Sequence, residues 1–475
     1  MEYLKYPALV AAMFIMAGSC SEEQKSDSPV HVMETFVLES YSGAEVSGSV
    51  ECAGDWHLNN YVQWCSASPL SGNAGTATVN LTAISSNDDL KERVGTFSIV
   101  SDFGEDVYYV VQKGAPGVVL LDEEVVLLAD RQELKVPLEG NIPITEDMVV
   151  STPDWIVPCG LSVSDSTILE DGVTASDYVT TEILFDVESN VGEERSGEIV
   201  LSILDQEYTV RVVQIMPVVV DSDRQFYRNS AIIRFTGVYC GFCPWMSEGV
   251  ELAKERMPDR LVSINFHAQS YSNPDYGLVC EESRDMEDFY GVNSYPYANF
   301  NNIAQIQNAA AEVLSGVITD LATEAIEHYP SKTGIMAVSE CSDDGDISIN
   351  AVVATKESLD YSVVVWILED GLEYPQNGAS DDYVHNYVVR GSLSDNYISG
   401  DPLPEPSGGL SVMHINGKLP SSVSNRQNAY AVIATMYPGG PETQTVPLAQ
   451  YGDYGYVIDN VVVCPLDGTV ELRYE

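Results

Sequence analysis

From Val30 to Met216 apolar residues come in short runs, and Gly, Asn, Ser and Asp separate one run from the next. Residues 76–82 and 96–100 keep a two-residue period, which places side chains on alternate faces of a strand. Many short strands with turn residues between them predict all-β sandwiches. At about Asp221 the period changes. A β-run, 231–235, leads into Cys240-Gly241-Phe242-Cys243-Pro244, and Met246, Val250, Ala253 and Met257 then recur at helical spacing. Pro244 suits a first helical turn, where a missing backbone N–H costs nothing. Residues 261–267 read as a second, central strand, 281–290 as a short acidic helix, and 303–329 as one long helix or two shorter ones. In the long helix Ile303, Ile306, Ala310, Val313, Val317, Leu321 and Ala325 form the apolar face, Gly316 marks a bend and Pro330 the stop. From Gly334 onward strands return at 335–341, 346–354, 361–368, 383–390, 429–436 and 457–464, enough for another sandwich.

The first β region contains a repeat. Asp55-Trp56 corresponds to Asp154-Trp155, Arg93-Val94-Gly95 to Arg195-Ser196-Gly197, and Val110-Val111-Gln112 to Val212-Val213-Gln214. Arg and Gln stand the same distance apart in both copies. Recurrence at one place in the repeat makes Trp56 and Trp155 core residues, because buried aromatics dominate small cores. Tyr61, Trp64, Tyr108 and Tyr109 are then the candidates for an exposed binding platform. These residues resemble the BACON domain, a Bacteroidetes β-sandwich found beside carbohydrate-active domains. The second copy lacks a counterpart of Trp64. The resemblance implies glycan or mucin binding, or a spacer.

Strand, Cys-x-x-Cys and helix in this order resemble thioredoxin, whose first cysteine sits at the positive end of a helix dipole. Gly291-Val292-Asn293-Ser294-Tyr295-Pro296 falls where thioredoxin-like folds place a cis-proline, and an X-Pro bond makes the cis form accessible. Residues 221–475 resemble the Omp28-related outer membrane proteins of Bacteroidetes. The resemblance is carried by Phe235–Pro244, Tyr295-Pro296, Val365-Trp366-Ile367-Leu368-Glu369-Asp370, Gln376 and His385–Gly391. It implies an outer-membrane lipoprotein, with adhesion proposed for some members.

Composition changes the picture in two ways. Twenty-two basic against 72 acidic side chains give a net charge of −50, which excludes nucleic acid and anionic lipid as partners. Lys5 and an apolar run over 8–16, ending in Ala17-Gly18-Ser19-Cys20, resemble a bacterial lipoprotein signal with Cys20 as the acylated residue. The acidic stretch after Cys20 resembles an export signal to the outer face of the outer membrane.

Of nine cysteines, eight remain after Cys20, an even number compatible with disulfides in an exported protein. Cys240–Cys243 is one expected pair; Cys52–Cys65 and Cys341–Cys464 are two further candidates. Two chemistries stay open for the Cys-x-x-Cys. In thiol–disulfide exchange Cys240 attacks, Cys243 resolves and Pro296 orients the partner. Alternatively the pair is a permanent structural disulfide. The residue before Cys240 is Tyr239, and the preceding strand carries Arg234 and no buried acid, both departures from thioredoxin-type enzymes. His385 is read as a structural hydrogen-bonding residue. No histidine spacing calls for a metal, and no motif calls for a cofactor.

The expected architecture is therefore multidomain and β-rich. It runs as a signal peptide (1–19), an acidic tether (20–30), Ig-like BACON sandwiches (31–116 and 117–217), a thioredoxin-like α/β domain with a long helix (221–331) and a C-terminal β-sandwich (332–475). The expected role is a lipid-anchored, cell-surface binding or adhesion module for a glycan, glycoprotein or protein.

Overall fold

The computed structural model describes residues 35–380, 382–440 and 446–475. The signal peptide, Cys20 and the tether lie outside the described residues. The chain divides into two compact units. Among the described residues, one holds 35–121 with Val136–Thr145 and Leu161–Ile183; the other holds the remainder, including Leu184–Glu475. The division runs through the second repeat rather than through a linker.

In the first unit, strands Thr35–Leu38, Gly104–Gln112, Arg93–Ser101, Trp56–Asn60 and Ser71–Gly72 form one sheet in that order. Glu45–Cys52, Gly75–Ala83 and Cys65–Ser68 form a second. Inward residues of both sheets make the core, where Phe97 stacks on Tyr108 with centroids 5.2 Å apart and Trp56 is buried. The constant Arg–Gln distance has a direct cause. Arg93–Ser101 and Gly104–Gln112 are a hairpin in which Arg93 faces Gln112. The Arg93 guanidinium donates to Gln112 Oε1 from Nε (2.9 Å) and Nη2 (2.7 Å), and the Gln112 amide donates to the carbonyls of Glu39, Ser40 and Ser85. Asn87 caps the same end by donating to Lys91, Gln112 and Lys113 carbonyls.

The second unit repeats this device with Arg195, Gln214 and Asn190. Its strands Glu124–Leu127, Gln206–Gln214, Arg195–Ile203 and Val149–Ser151 form a sheet in that order. The alignment of the repeat needs correction at the tryptophans. Trp155 lies under the Arg195 guanidinium, 4.4 Å from the ring centroid, and its carbonyl accepts from Glu188 N. Trp64 has the same surroundings, with Arg93 at 4.7 Å and its carbonyl accepting from Ile84 N. Trp155 is thus the counterpart of Trp64, not of Trp56, and is half-buried rather than a core residue. The shared Asp-Trp dipeptide is a coincidence of sequence.

The rest of the second unit is built on a ten-stranded sheet. Its central strands are β1 (Ser230–Thr236) and β2 (Leu261–His267), parallel and joined by α1 (Cys243–Arg256). After α2 (Ser283–Tyr290) come β3 (Tyr297–Phe300), antiparallel to β1, then β4 (Ala304–Ile306) and α3 (Ala311–His328). The later strands are β5 (Thr333–Cys341), β6 (Asp346–Thr355), β7 (Ser362–Glu369), β8 (Val388–Ser392), β9 (Leu410–Lys418), β10 (Ala429–Pro438), β11 (Ala449–Tyr451), β12 (Tyr456–Pro465) and β13 (Gly468–Val470). The large sheet runs β11-β4-β3-β1-β2-β8-β7-β10-β12, with Asp401–Pro402 paired to β7; β9-β6-β5-β13 form a smaller sheet.

No break separates an α/β domain from a C-terminal sandwich at 331/332. Asn265 on β2 pairs with Val388 on β8, so the two parts share one sheet. Alternation along β1 explains its layers. Ala231, Ile233 and Phe235 pack with α2, whereas Ile232 packs with α1 and α3. On β7, Val363, Val365 and Ile367 pack against the smaller sheet. The long-helix expectation also changes. Residues 304–306 are strand, α3 begins at Ala311, Val313 is exposed, and the buried face is Leu314, Val317, Ile318, Leu321, Ala322 and Ala325.

Candidate functional site

β1 delivers the chain to Cys240, and α1 starts at Cys243 with Pro244 in its first turn. Cys240 and Cys243 form a disulfide with Cα atoms 5.5 Å apart. The Tyr295–Pro296 peptide is cis, and Pro296 directly precedes β3, the strand paired with β1. Among the described residues, this disulfide is the one bonded pair.

The disulfide is covered. Both half-cystines are at most 3% exposed. A loop between β7 and β8 lies over the motif: Gln376 Nε2 donates to Cys240 O (2.8 Å) and Gly237 O (3.2 Å). Asn377 N donates to Val238 O (2.8 Å), and Asn377 Nδ2 to Tyr239 O (3.0 Å). Gly378 has φ +82°, and a Cβ there would stand 2.2 Å from Gly241 O, so the contact requires glycine. Thiol exchange needs a thiolate to approach a sulfur in line, and both half-cystines are buried in this arrangement. The aromatic residues of the same segment point outward instead. Tyr239, Phe242 and Trp245 are each about half exposed, and Phe242 and Trp245 meet edge to face at 5.4 Å. Tyr271 adjoins them through its carbonyl, which accepts from Tyr239 N, and packs on Tyr295 at 5.0 Å. Sequence reasoning missed this patch because it read the segment for its cysteines. The signal was present as Tyr239, Phe242 and Trp245 within seven residues.

His385 Nε2 lies 3.2 Å from Tyr374 O, and burial pushes its pKa down to about 4. The ring meets His267 at 5.2 Å, whose pKa burial also depresses. Glu369, fully buried, pairs with Arg390 at 3.1 Å and accepts from Ser424 N and Asn425 N. Both residues hold structure. Among the described residues, no group of three His, Cys, Asp or Glu could hold a metal ion.

The N-terminal platform does not assemble as expected. Tyr108 is 1% exposed and belongs to the core, since the two-residue period turns it inward on its strand. Tyr109 is half-buried, and Trp64 has one face occupied by Arg93. Tyr61 is 60% exposed and bonds to Ser98 and Glu105. Two disulfide expectations are also corrected. Cys52 and Cys65 are free and buried. They flank strand Gly75–Ala83 on opposite sides and at opposite ends, Cys52 against Gly75 and Cys65 against Ala83. At about 3.3 Å per residue the strand holds them far beyond bonding distance. Cys341 and Cys464 share one core layer but lie in different sheets, and each thiol donates to a nearby carbonyl, of Ser342 and Gly468 respectively.

Comparison with known proteins recovers both resemblances. Residues 283–442 match the model of the family Omp28, "Outer membrane protein Omp28", a stretch that includes Pro296 and Gln376 but begins after the Cys-x-x-Cys. Residues 52–112 match BACON, "Putative binding domain, N-terminal". Among solved structures, HBP35 of Porphyromonas gingivalis is 14% identical, over 51% of this chain and 77% of that one, with a TM-score of 0.41. A domain of the outer membrane lipoprotein Omp28 from the same organism is 19% identical over 28% and 86%, with a TM-score of 0.18. A Bacteroides ovatus GH5 xyloglucanase is 23% identical over 20% of each chain, with a TM-score of 0.16. At these scores none of the three bears on what this chain does. No curated protein matches it. The chain thus carries one segment similar to the Omp28 family and one similar to the BACON family.

Proposed function

We propose that this chain is a lipid-anchored, cell-surface binding module of the outer membrane, with a structural rather than catalytic disulfide. The observation that carries the reading is the pairing of a covered Cys240–Cys243 with an exposed aromatic edge on the same segment. A closed disulfide holds the start of α1 against the strand-loop before it, and so keeps Tyr239, Phe242 and Trp245 in place. Exposed aromatic rings offer large apolar faces at low entropic cost, which suits stacking on sugar rings or on a protein partner. The acidic surface keeps such a patch soluble. The ligand class is a glycan or glycoprotein, and the N-terminal modules act mainly as spacers, with Tyr61 the one residue of the expected platform that is well exposed.

Two measurements test this. A Cys243→Ser variant expressed in a Bacteroidetes host is expected to trap no partner through Cys240, and the purified protein to leave insulin disulfides intact. A mixed disulfide at Cys240 would overturn the structural reading and favour exchange chemistry. On a glycan and mucin array, Phe242→Ala/Trp245→Ala is expected to lose retention that Tyr61→Ala keeps. Retention lost with Tyr61 and kept without Phe242 and Trp245 would move recognition to the first module.

A further inference from the structure

Arg234 lies at the centre of β1, on the face turned to α1, and is 2% exposed. Its Nη2 donates to Ser247 Oγ at 2.7 Å, its Nε–H has no partner, and among the described residues no carboxylate pairs with it. Burying a guanidinium without an anion is costly even after relaxation. Natural structures keep such a group where something else neutralises it. Arg234 lines a cavity of about 270 Å³ between α1, the ends of β1 and β2, and the loop before β8. Asn265, His267, His385 and Tyr383 line it too, and Pro244 brings the N-terminal turn of α1 to its wall.

We propose that this cavity binds a small organic carboxylate, with the Arg234 guanidinium as its counter-ion. This inference stands apart from the aromatic edge and from the role of the disulfide. The unpartnered Nε–H supplies the donor, and the helix N-terminus adds favourable potential. The size admits a ligand no larger than a monosaccharide or an amino acid. The charge count favours one negative charge over a phosphate's two. Arg234 is the one Arg or Lys in the cavity's lining, Glu248 and Glu251 stand at the exposed mouth, and Tyr387 OH is engaged with Glu251 at 3.3 Å. Burial holds both imidazoles neutral, and at His267 the neighbouring His385 and Arg234 add to it, so they serve as hydrogen-bonding partners for hydroxyl groups rather than as further charges. Asn265 is already committed to Asn386 O and Ser263.

The test uses the full mature chain at neutral pH, with sodium glucuronate, sodium acetate and glucose as probes at matched sodium chloride. Calorimetric titration and thermal unfolding are expected to show binding of glucuronate, acetate or both, and none of glucose. Acetate alone matching glucuronate identifies a simple acid as the ligand type; glucuronate alone identifies an acidic sugar. In Arg234→Met binding is expected to weaken at least tenfold, and the unliganded variant should melt no lower than wild type, because an apolar side chain replaces an uncompensated charge. Should that variant fail to fold, histidine side-chain NMR of the wild type decides: carboxylate must shift the His267 and His385 signals before those of the exposed His57 and His328. No carboxylate response beyond chloride, an unchanged response in Arg234→Met, or shifts confined to exposed histidines overturns the proposal.

Discussion

Buried charge in the second unit is handled in two opposite ways, and single residues show the difference. Arg390 has a partner: Glu369 at 3.1 Å, plus carbonyls of Gly277 and Ser422. Glu369 also accepts from Ser424 N and Asn425 N. Removing one member leaves the other buried and unpaired, so Glu369→Ala is expected to cost about 3–5 kcal/mol in urea unfolding. A change under 1 kcal/mol there would mean water reaches Arg390. His267 and His385 predict a pH dependence. Both have folded-state pKa values below the ordinary 6.5, His385 at about 4, with burial as the leading cause. His385, Arg234 and Arg390 oppose protonation of His267, and at His385 burial outweighs the Tyr374 carbonyl, which favours the protonated ring. A base depressed on folding binds its proton more readily in the unfolded chain. Stability is therefore full above about pH 6.5 and falls as pH drops toward 4, by up to about 1.4 kcal/mol per pH unit for each imidazole. His385→Gln should flatten the urea-midpoint profile between those limits, and an unchanged slope would contradict this account. The structural role of His385 was legible in the sequence from its bulky strand neighbours. The inward turn of Tyr108 was not, because two adjacent tyrosines look alike until the register with Arg93–Ser101 is known.

At the scale of elements, strongly periodic segments were readable and those shaped by tertiary pairing were not. β2 falls on residues 261–267 as the apolar run implies, and α1 buries Met246, Val250 and Ala253. Ile303 and Ile306 fit the helical period by chance; pairing of β4 with β3 and β11 makes that stretch strand, and Ala310 ends it with extended backbone. β9 carries no clean alternation of buried and exposed positions, so its pairing with β6 and not its own pattern makes it a strand. The cover over the disulfide combines residues more than 130 positions apart, and no local pattern announces it. That cover carries its own prediction. Gly378→Ala puts a methyl group against Gly241 O at a positive φ, so the loop must lift. Lifting exposes the sulfurs, and Cys240–Cys243 should be reduced by dithiothreitol at least several-fold faster than in wild type, with little change in melting temperature. Equal reduction rates would show that the loop does not limit access.

At the scale of the whole molecule the charge of −50 decides how a membrane can hold this protein. Acidic chains are repelled by anionic lipid headgroups, and the repulsion weakens as the Debye length shrinks from about 30 Å at 0.01 M salt to about 8 Å at 0.15 M. Electrostatic adsorption therefore works against retention, and among the described residues no helix is long and apolar enough to cross a bilayer. The anchor expected at Cys20 works by a different force. Each buried methylene of an acyl chain contributes about 0.8 kcal/mol, one chain holds only marginally, and two or more hold stably. The two mechanisms respond oppositely to salt and to mutation. If acyl chains are the attachment, a high-salt wash leaves the wild-type protein in the outer-membrane fraction and detergent releases it. Cys20→Ala then appears in the soluble fraction or as an unprocessed precursor. Fractionation of cells expressing each form, followed by blotting, reads both outcomes directly. Cys20→Ala retained at the wild-type level would overturn the lipid anchor and require attachment through a protein partner. In that case the aromatic edge at Tyr239, Phe242 and Trp245 becomes the first surface to mutate, because three half-exposed aromatic rings stand together there within seven residues.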